Sequence, residues 1–419
     1  MDNKPDLLIK NIRSLATPHG RCCIAGSDQK KIQYITNAYI LISGQDIVDV
    51  GEEKQLASQN LKMDDITIID AQGSLVTPGL VDAHTHLVFS GWRQKELPLK
   101  LKGMSYLDIL KMGGGILNTV KNTRKATLEE LIDNGIIKLK KMLAHGTTTC
   151  EVKSGYGLNL EDEIKSLKTV AELNKLGIID LVPTFLGAHA IPEEYKNNKE
   201  GFIKLIIDVM IPIVSENKLA EFCDVFCEEG VFDLEESRLI LECGKKHGLI
   251  PKIHADEITP LGGARLAAET KAISADHLIQ ATDAGLDEMA KEGTIAVLLP
   301  GTSFYLNENF ARARTMIDKG IPVAVASDFN PGSSPNESLQ LPMNIACLKY
   351  KLLPEEVLTA VTLNAAAAIN RASTIGSIEI GKKADIVIWD ALDLDYIFYH
   401  YGTNLVKKVI KNGKLVVCN

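Results

Sequence analysis

Pro78-Gly79-Leu80-Val81-Asp82-Ala83-His84-Thr85-His86 carries an apolar stretch into two histidines spaced two residues apart. In an extended chain, residues i and i+2 point to the same side. Two imidazoles so placed at a strand's end can converge on one metal ion. Neutral imidazole suits zinc and iron. Alone, such a pair is a weak signal, because surface histidines pair by chance. The Pro-Gly break and apolar strand before it add weight, as do further ligand candidates at the ends of later strands.

Those later strands follow at regular intervals. Leu80–His86, Thr147–Lys153, Leu181–Leu186, Glu221–Cys227, Pro251–Asp256, Ala272–His277, Thr294–Leu299 and Pro322–Asp328 read as eight strands. Amphipathic runs such as Leu128–Ala144, Asp162–Leu176 and Leu234–His247 lie between them. Eight strand-then-helix units over roughly 270 residues predict an α/β chain folded as a (β/α)8 TIM-like barrel. A doubly wound sheet is the rival, and it needs a reversal of strand order that sequence does not reveal.

Both ends of the chain read differently. Asp6–Lys10, Ala38–Ile42 and Ile47–Val50 near the start, and Gly376–Ile378, Ala384–Trp389 and Leu405–Val417 near the end, are β-rich. Asn412-Gly413 is a strong two-residue hairpin signal. The expectation is a small β-sandwich domain built from residues 1–75 and 375–419, beside a metallohydrolase barrel over residues 76–374.

The 419 residues are 45% hydrophobic and 24% charged, ordinary for a soluble globular protein. A net charge of -8 argues against a general nucleic-acid binder or a polybasic membrane-surface protein. The N-terminus lacks a signal-peptide layout, and no apolar run reaches the ~18 residues that span a bilayer. The eight cysteines are scattered, which fits reduced cytosolic thiols better than a disulfide framework. Cys223 and Cys227 read as two thiols along a buried strand. Gly113-Gly114-Gly115 lacks phosphate-cradle spacing and reads as a mobile loop near the site.

In a barrel of this kind chemistry gathers at the C-terminal ends of the strands. Four of the nine histidines fall at three such ends: His84 and His86, His254, and His277. The economical metal set is His84, His86, His254 and Asp328, with Asp328 also able to accept a proton from water. The competing explanation for Asp328 is the start of a turn through Phe329-Asn330-Pro331-Gly332. Glu257, three residues after His254, can shuttle protons to a ring nitrogen, or simply face a helix N-terminus. His277 can polarise a carbonyl, or be a satisfied core histidine. Arg93 offers a fixed-charge fork for a carboxylate. Tyr156 and His189 close strands two and three. Asn330, Gly332 and Ser333 offer backbone N–H groups and hydroxyls to an anion. Ordinary loop chemistry is the competing explanation for each of these segments.

With these residues in place, the chain resembles the amidohydrolase superfamily and, within it, the imidazolonepropionase family. The resemblance covers nearly the whole length. It is carried by Asp82–Phe89, Glu151–Gly157, Thr184–His189, Lys252–Glu257 and Ser327–Ser334. Val-Lys-Ser-Gly-Tyr-Gly and Asp-Phe-Asn-Pro-Gly are its most specific stretches. It implies hydrolysis of a small anionic substrate, 4-imidazolone-5-propanoate, to N-formimidoyl-L-glutamate in histidine degradation. It also implies one zinc or iron ion per chain and a cytoplasmic homodimer. The family's metal ligands fall on His84, His86, His254 and Asp328. Its substrate contacts fall on Arg93, Tyr156, His189, Glu257, Asn330, Gly332 and Ser333. Position 333 is often threonine in the family, and serine keeps the hydroxyl. The carboxylated lysine that ends strand four in two-metal members is missing, because that strand ends Cys227-Glu228-Glu229. A cytosine- or guanine-type deaminase is the nearest alternative and would leave Arg93 without a purpose.

Overall fold

The computed structural model describes residues 4–59, 61, 63–104, 112 and 114–419. Its centre is an eight-stranded parallel sheet: β5 (Leu80–Asp82), β6 (Thr147–Lys153), β7 (Asp180–Ala188), β8 (Phe222–Cys227), β9 (Ile250–Ala255), β10 (Ser274–His277), β11 (Ile295–Leu298) and β12 (Val323–Val325). They pair in sequence order from β5 to β12, as a barrel requires. The segments that follow β5 and β12 meet two to four residues past the strands. Asp328 N–H donates to the His84 carbonyl at 3.1 Å, and His86 N–H to the Phe329 carbonyl at 2.9 Å. Below these, the Asp82 carboxylate accepts from Ser327 N–H (2.9 Å) and Ser327 Oγ (2.5 Å). A side chain thus stitches the seam where a ladder bond is missing, and the seam lies directly under the paired histidines.

The chain ends form one continuous seven-stranded mixed sheet, not two hydrogen-bonded sheets facing each other. Its strands are β1 (Leu7–Thr17), β2 (Gln33–Ser43), β3 (Asp46–Glu52), β4 (Thr67–Pro78), β13 (Ile386–Trp389), β14 (Val406–Lys411) and β15 (Lys414–Cys418), in the order β15-β14-β13-β4-β1-β2-β3. Strand β4 runs straight into β5 through Gly79, where an added Cβ would lie 2.3 Å from Thr148 Oγ1. That close approach explains the Pro-Gly break.

Two sequence expectations need correction here. Gly376-Ser377-Ile378 is not a strand. Ile378 N–H donates to Thr17 Oγ1 at 2.8 Å, and Lys382 Nζ donates to Ser377 Oγ at 2.6 Å, so side chains replace a ladder. Strand β4 had no counterpart in the sequence reading. Gln72 and Gly73 both take left-handed φ (56° and 69°), which bulges the strand and breaks its alternation.

Helices cover the barrel. The helix α1 (Gly115–Lys125) follows the first loop, and α2 (Leu128–Ala144) starts on a Thr127–Glu130 capping box. α2 buries Leu131, Leu139 and Met142, and also Lys138. Lys138 Nζ donates to the carbonyls of Leu87 (2.9 Å) and Phe89 (3.1 Å), fastening the loop after β5. Gly113 lies outside the described residues, whereas Gly114 and Gly115 form the start of α1. Cys223 and Cys227 are buried in β8, and all eight cysteines are free thiols. Among the described residues, no helix is long and apolar enough to cross a membrane.

Candidate metal centre

His84 and His86 leave β5 pointing into the barrel mouth, with Nε2 atoms 3.3 Å apart. Asp328 Oδ1 lies 3.5 Å from each. A tetrahedral ion with ligands at about 2.1 Å separates its ligand atoms by about 3.4 Å. The triangle therefore has the dimensions of a metal site. His254 completes the group: one ligand nitrogen each from His84, His86 and His254 falls within a 4.8 Å cluster. His254 Nε2 is buried without a hydrogen-bond partner, the signature of an atom meant for another ligand.

The supporting contacts fix which nitrogen faces the centre. His84 Nδ1 lies 2.6 Å from Asp276 Oδ2, so its Nε2 keeps a lone pair. His254 Nδ1 lies 3.0 Å from Asp224 Oδ2, an ion-pair distance that is out of line for a hydrogen bond. Burial holds all three imidazoles well below their ordinary pKa, helped by nearby charges, Lys153 first at His84 and His254. They are thus neutral donors of lone pairs. Asp328 presents Oδ1 to the histidines and accepts from Thr302 Oγ1 with Oδ2 (2.5 Å). Burial pushes its carboxyl up to about 7, against the pull of that hydroxyl. Its left-handed φ of 52° is rare outside glycine, and His277 shares it at 73°. Strain of this kind concentrates at functional sites.

Beneath the ligands sits a group that sequence reading did not single out. Glu151 and Lys153 on β6, Asp224 on β8, Lys252 on β9 and Asp276 on β10 are all fully buried inside the barrel. Barrel interiors are ordinarily filled by Val, Ile and Leu. Lys153 Nζ reaches Asp224 (2.7 Å), Glu151 (3.1 Å) and Asp276 (3.4 Å). Burial disfavours its charge, but Asp224, Glu151 and Asp276 outweigh that and raise its pKa above the ordinary value. Two lysines thus face three carboxylates, Glu151, Asp224 and Asp276. The excess of carboxylates favours a cation at the ligands above them. Alternating charges at i and i+2 in a strand expected to be apolar was the available signal.

The remaining candidates gather around the mouth. His189 stacks on His86 (centroids 4.9 Å apart, 12° between planes) and meets the Gly155 carbonyl through Nδ1 at 3.0 Å. Tyr156 is buried with its ring 5.8 Å from His86 and 5.4 Å from His189. Its turn wraps around Glu163, whose carboxylate accepts from the N–H groups of Gly155, Gly157 and Leu158. His277 Nδ1 lies 3.5 Å from Glu257 Oε1, with its ring 5.5 Å from that of His84. Burial drives His277 down to about 4 and Glu257 up to about 8, the Asp328 charge adding to the latter. Near neutrality the histidine is therefore neutral and the carboxyl protonated.

Two anion-binding expectations change in detail. The Nε and Nη2 edge of Arg93 is taken by Glu96 (3.0 and 2.8 Å), which leaves Nη1 at Gly332. The N–H groups of Gly332 and Ser333 both donate to Asn330 Oδ1 at 2.8 Å, an Asx-type turn. The loop is held shut by its own asparagine and is not an open backbone cradle.

Comparisons with known proteins show the family and the fold. The Amidohydrolase family matches residues 244–416. The chain is 54% identical over 415 residues to an imidazolonepropionase of Alkaliphilus metalliredigens (strain QYMF), covering 98% of both. It is 52% identical to an imidazolonepropionase of Thermoanaerobacter pseudethanolicus (strain ATCC 33223 / 39E), covering 97% of both. In fold it is similar to E. coli guanine deaminase (TM-score 0.75, 15% identity, 98% of this chain and 99% of that one). It is likewise similar to a zinc-bound adenosine deaminase from Xanthomonas campestris (TM-score 0.72, 18% identity, 99% and 94%). The chain therefore belongs to the imidazolonepropionase family and is a hydrolase of the amidohydrolase type.

Proposed function

We propose that this chain hydrolyses the cyclic amide of 4-imidazolone-5-propanoate to N-formimidoyl-L-glutamate, with one zinc or iron ion held by His84, His86, His254 and Asp328. The observation that carries the reading is the joining of two features by one short loop. Asp328 closes the ligand triangle, and Gly332, four residues on, packs against the Arg93 guanidinium. A hydrolytic centre and a cationic spot thus share one mouth, as a substrate with a ring and a carboxylate needs. The family's full-length relatives support it.

A divalent ion supplies Lewis acidity here and lowers the pKa of water toward ~7. The chain's own residues do the rest. Asp328 takes the proton from the attacking water. His277, neutral, donates its N–H to the ring carbonyl oxygen as charge develops there. Glu257, protonated near neutrality, hands its proton to the leaving ring nitrogen, and the C–N bond breaks. Arg93, Tyr156 and the Ser333 hydroxyl hold the propanoate side, Asn330 and Gly332 shape the turn that carries Ser333, and His189 packs beside the ring. The same proposal includes a cytoplasmic homodimer, and a division into a terminal β domain (1–75, 375–419) and a barrel (76–374).

A nucleobase deaminase uses a similar ligand set but carries no carboxylate for Arg93. The test is the loss of ultraviolet absorbance of 4-imidazolone-5-propanoate on incubation with the protein. Ring opening is expected. A metal-bearing protein that leaves this ring intact but deaminates cytosine or guanine would overturn the reading.

A further inference from the structure

Arg93 is not the sole cation at the proposed carboxylate site. Lys100, in the short helix Leu97–Leu101, reaches the Gly332 carbonyl with Nζ at 3.3 Å. On the other side of Gly332, an added Cβ would lie 2.2 Å from Arg93 Nη1. Gly332 is therefore held between an ammonium at its carbonyl and a guanidinium at its Cα. The Arg93 charge already has a partner in Glu96, which spans Nε and Nη2 and also accepts from Gly115 N–H at 2.8 Å. Among the described residues, Lys100 donates only to a neutral carbonyl. Two cations and one carboxylate leave a surplus positive charge at a half-buried spot. Burial and the Arg93 charge press the Lys100 pKa down, with Glu96 opposing, as expected where like charges lack an anion between them.

We propose that Lys100 is a specificity-determining residue, adding a second positive charge to the Arg93–Gly332 site so that substrates ending in a carboxylate are selected. This rests on the reaction proposed above. In that arrangement Glu96 orients Arg93, and the charge of Lys100 is the one left for the incoming anion.

The experiment compares kcat/KM for 4-imidazolone-5-propanoate and for its propanamide, which has the same shape and no charge. Both are measured on the unaltered chain, Lys100→Met and Lys100→Arg. The unaltered chain is expected to prefer the carboxylate. Lys100→Met should lower that preference about tenfold, the scale of one charge-assisted contact, through KM and without touching the amide rates. Lys100→Arg should keep the preference. An unchanged carboxylate-to-amide ratio in Lys100→Met overturns the assignment. So does an equal loss on both substrates, which would mark a purely structural residue. Failure of the unaltered chain to open either ring removes the proposed reaction itself. Equal turnover of both rings keeps the reaction but refutes the anion site.

Discussion

The two sheets of this chain hold opposite kinds of interior. The core of the terminal sheet is aliphatic: Ile9, Ile12, Leu15, Ile40, Ile42, Ile386 and Ile388 pack together fully buried. The barrel buries Glu151, Lys153, Asp224, Lys252 and Asp276 at the corresponding depth. Taking charges out of water costs several kcal/mol per ion before pairing offsets it, so a core built for stability alone would avoid them. The contrast teaches a division of labour. The terminal sheet contributes cohesion and anchors β5 through β4, while the barrel gives up cohesion to aim two histidines.

The comparison breaks most visibly at the ligands. Asp328→Ala and His254→Ala should abolish turnover and lower bound metal well below about one ion per chain, read by initial rates and elemental analysis. If either variant kept full metal and activity, the four-ligand assignment would fall.

Lys153→Met comes next. It leaves Asp224 and Asp276 without a lysine ion pair in a fully buried site, while Glu151 keeps Lys252 at 3.2 Å, and breaking such a network costs about 3–5 kcal/mol. Asp276 and Asp224 would lose the partner that holds them against His84 and His254. Chelator-driven metal release should then quicken about 10–100-fold. Release at the unaltered rate would mean that the network does not support the ligands.

Glu257→Gln keeps the shape and removes the proton. Turnover should fall about 10²–10⁴-fold, the usual share of a general acid. The acid form is needed, so activity should be present at lower pH and decline as pH rises through the Glu257 pKa, raised by burial to about 8. A cation bound nearby draws that value down, so the alkaline limb belongs at or below about 8. Glu257→Gln should lack this limb; a limb that persists would assign it to another group.

Arg93→Ala should raise KM with kcat nearly unchanged, because the lost contact serves ground and transition states alike. A kcat loss at constant KM would refute a binding role. The smallest effect belongs to the terminal sheet. Ile40→Val should lower stability by about 0.5–1.5 kcal/mol in thermal melts and leave kcat/KM untouched. Were it to impair turnover as Lys153→Met does, the division between the two interiors would not hold.

What could be read from sequence followed the range of the forces involved. The strand Thr147–Lys153 and helix Leu128–Ala144 form with the bounds that periodicity predicts. Periodicity also carried β5 and β12 too far, to His86 and Asp328. The ladder stops at Asp82 and Val325, and beyond it the chain turns inward through a left-handed Asp328. His84 and His86 were visible because a strand's own geometry places i and i+2 together. Lys153 was read only as the end of its strand because its meaning depends on Asp224 and Asp276, 71 and 123 residues away. The internal pairing of Arg93 with Glu96 was likewise hidden, since an arginine reads alike whether its fork is open or occupied.

The most direct test of the account is reconstitution. Metal-free protein is titrated with zinc or iron, and ring opening of 4-imidazolone-5-propanoate is followed at each addition. The account predicts a rate that climbs linearly and levels at about one equivalent per chain, because His84, His86, His254 and Asp328 make one ligand set. A plateau at about two equivalents, or saturated protein that opens no ring, would contradict it.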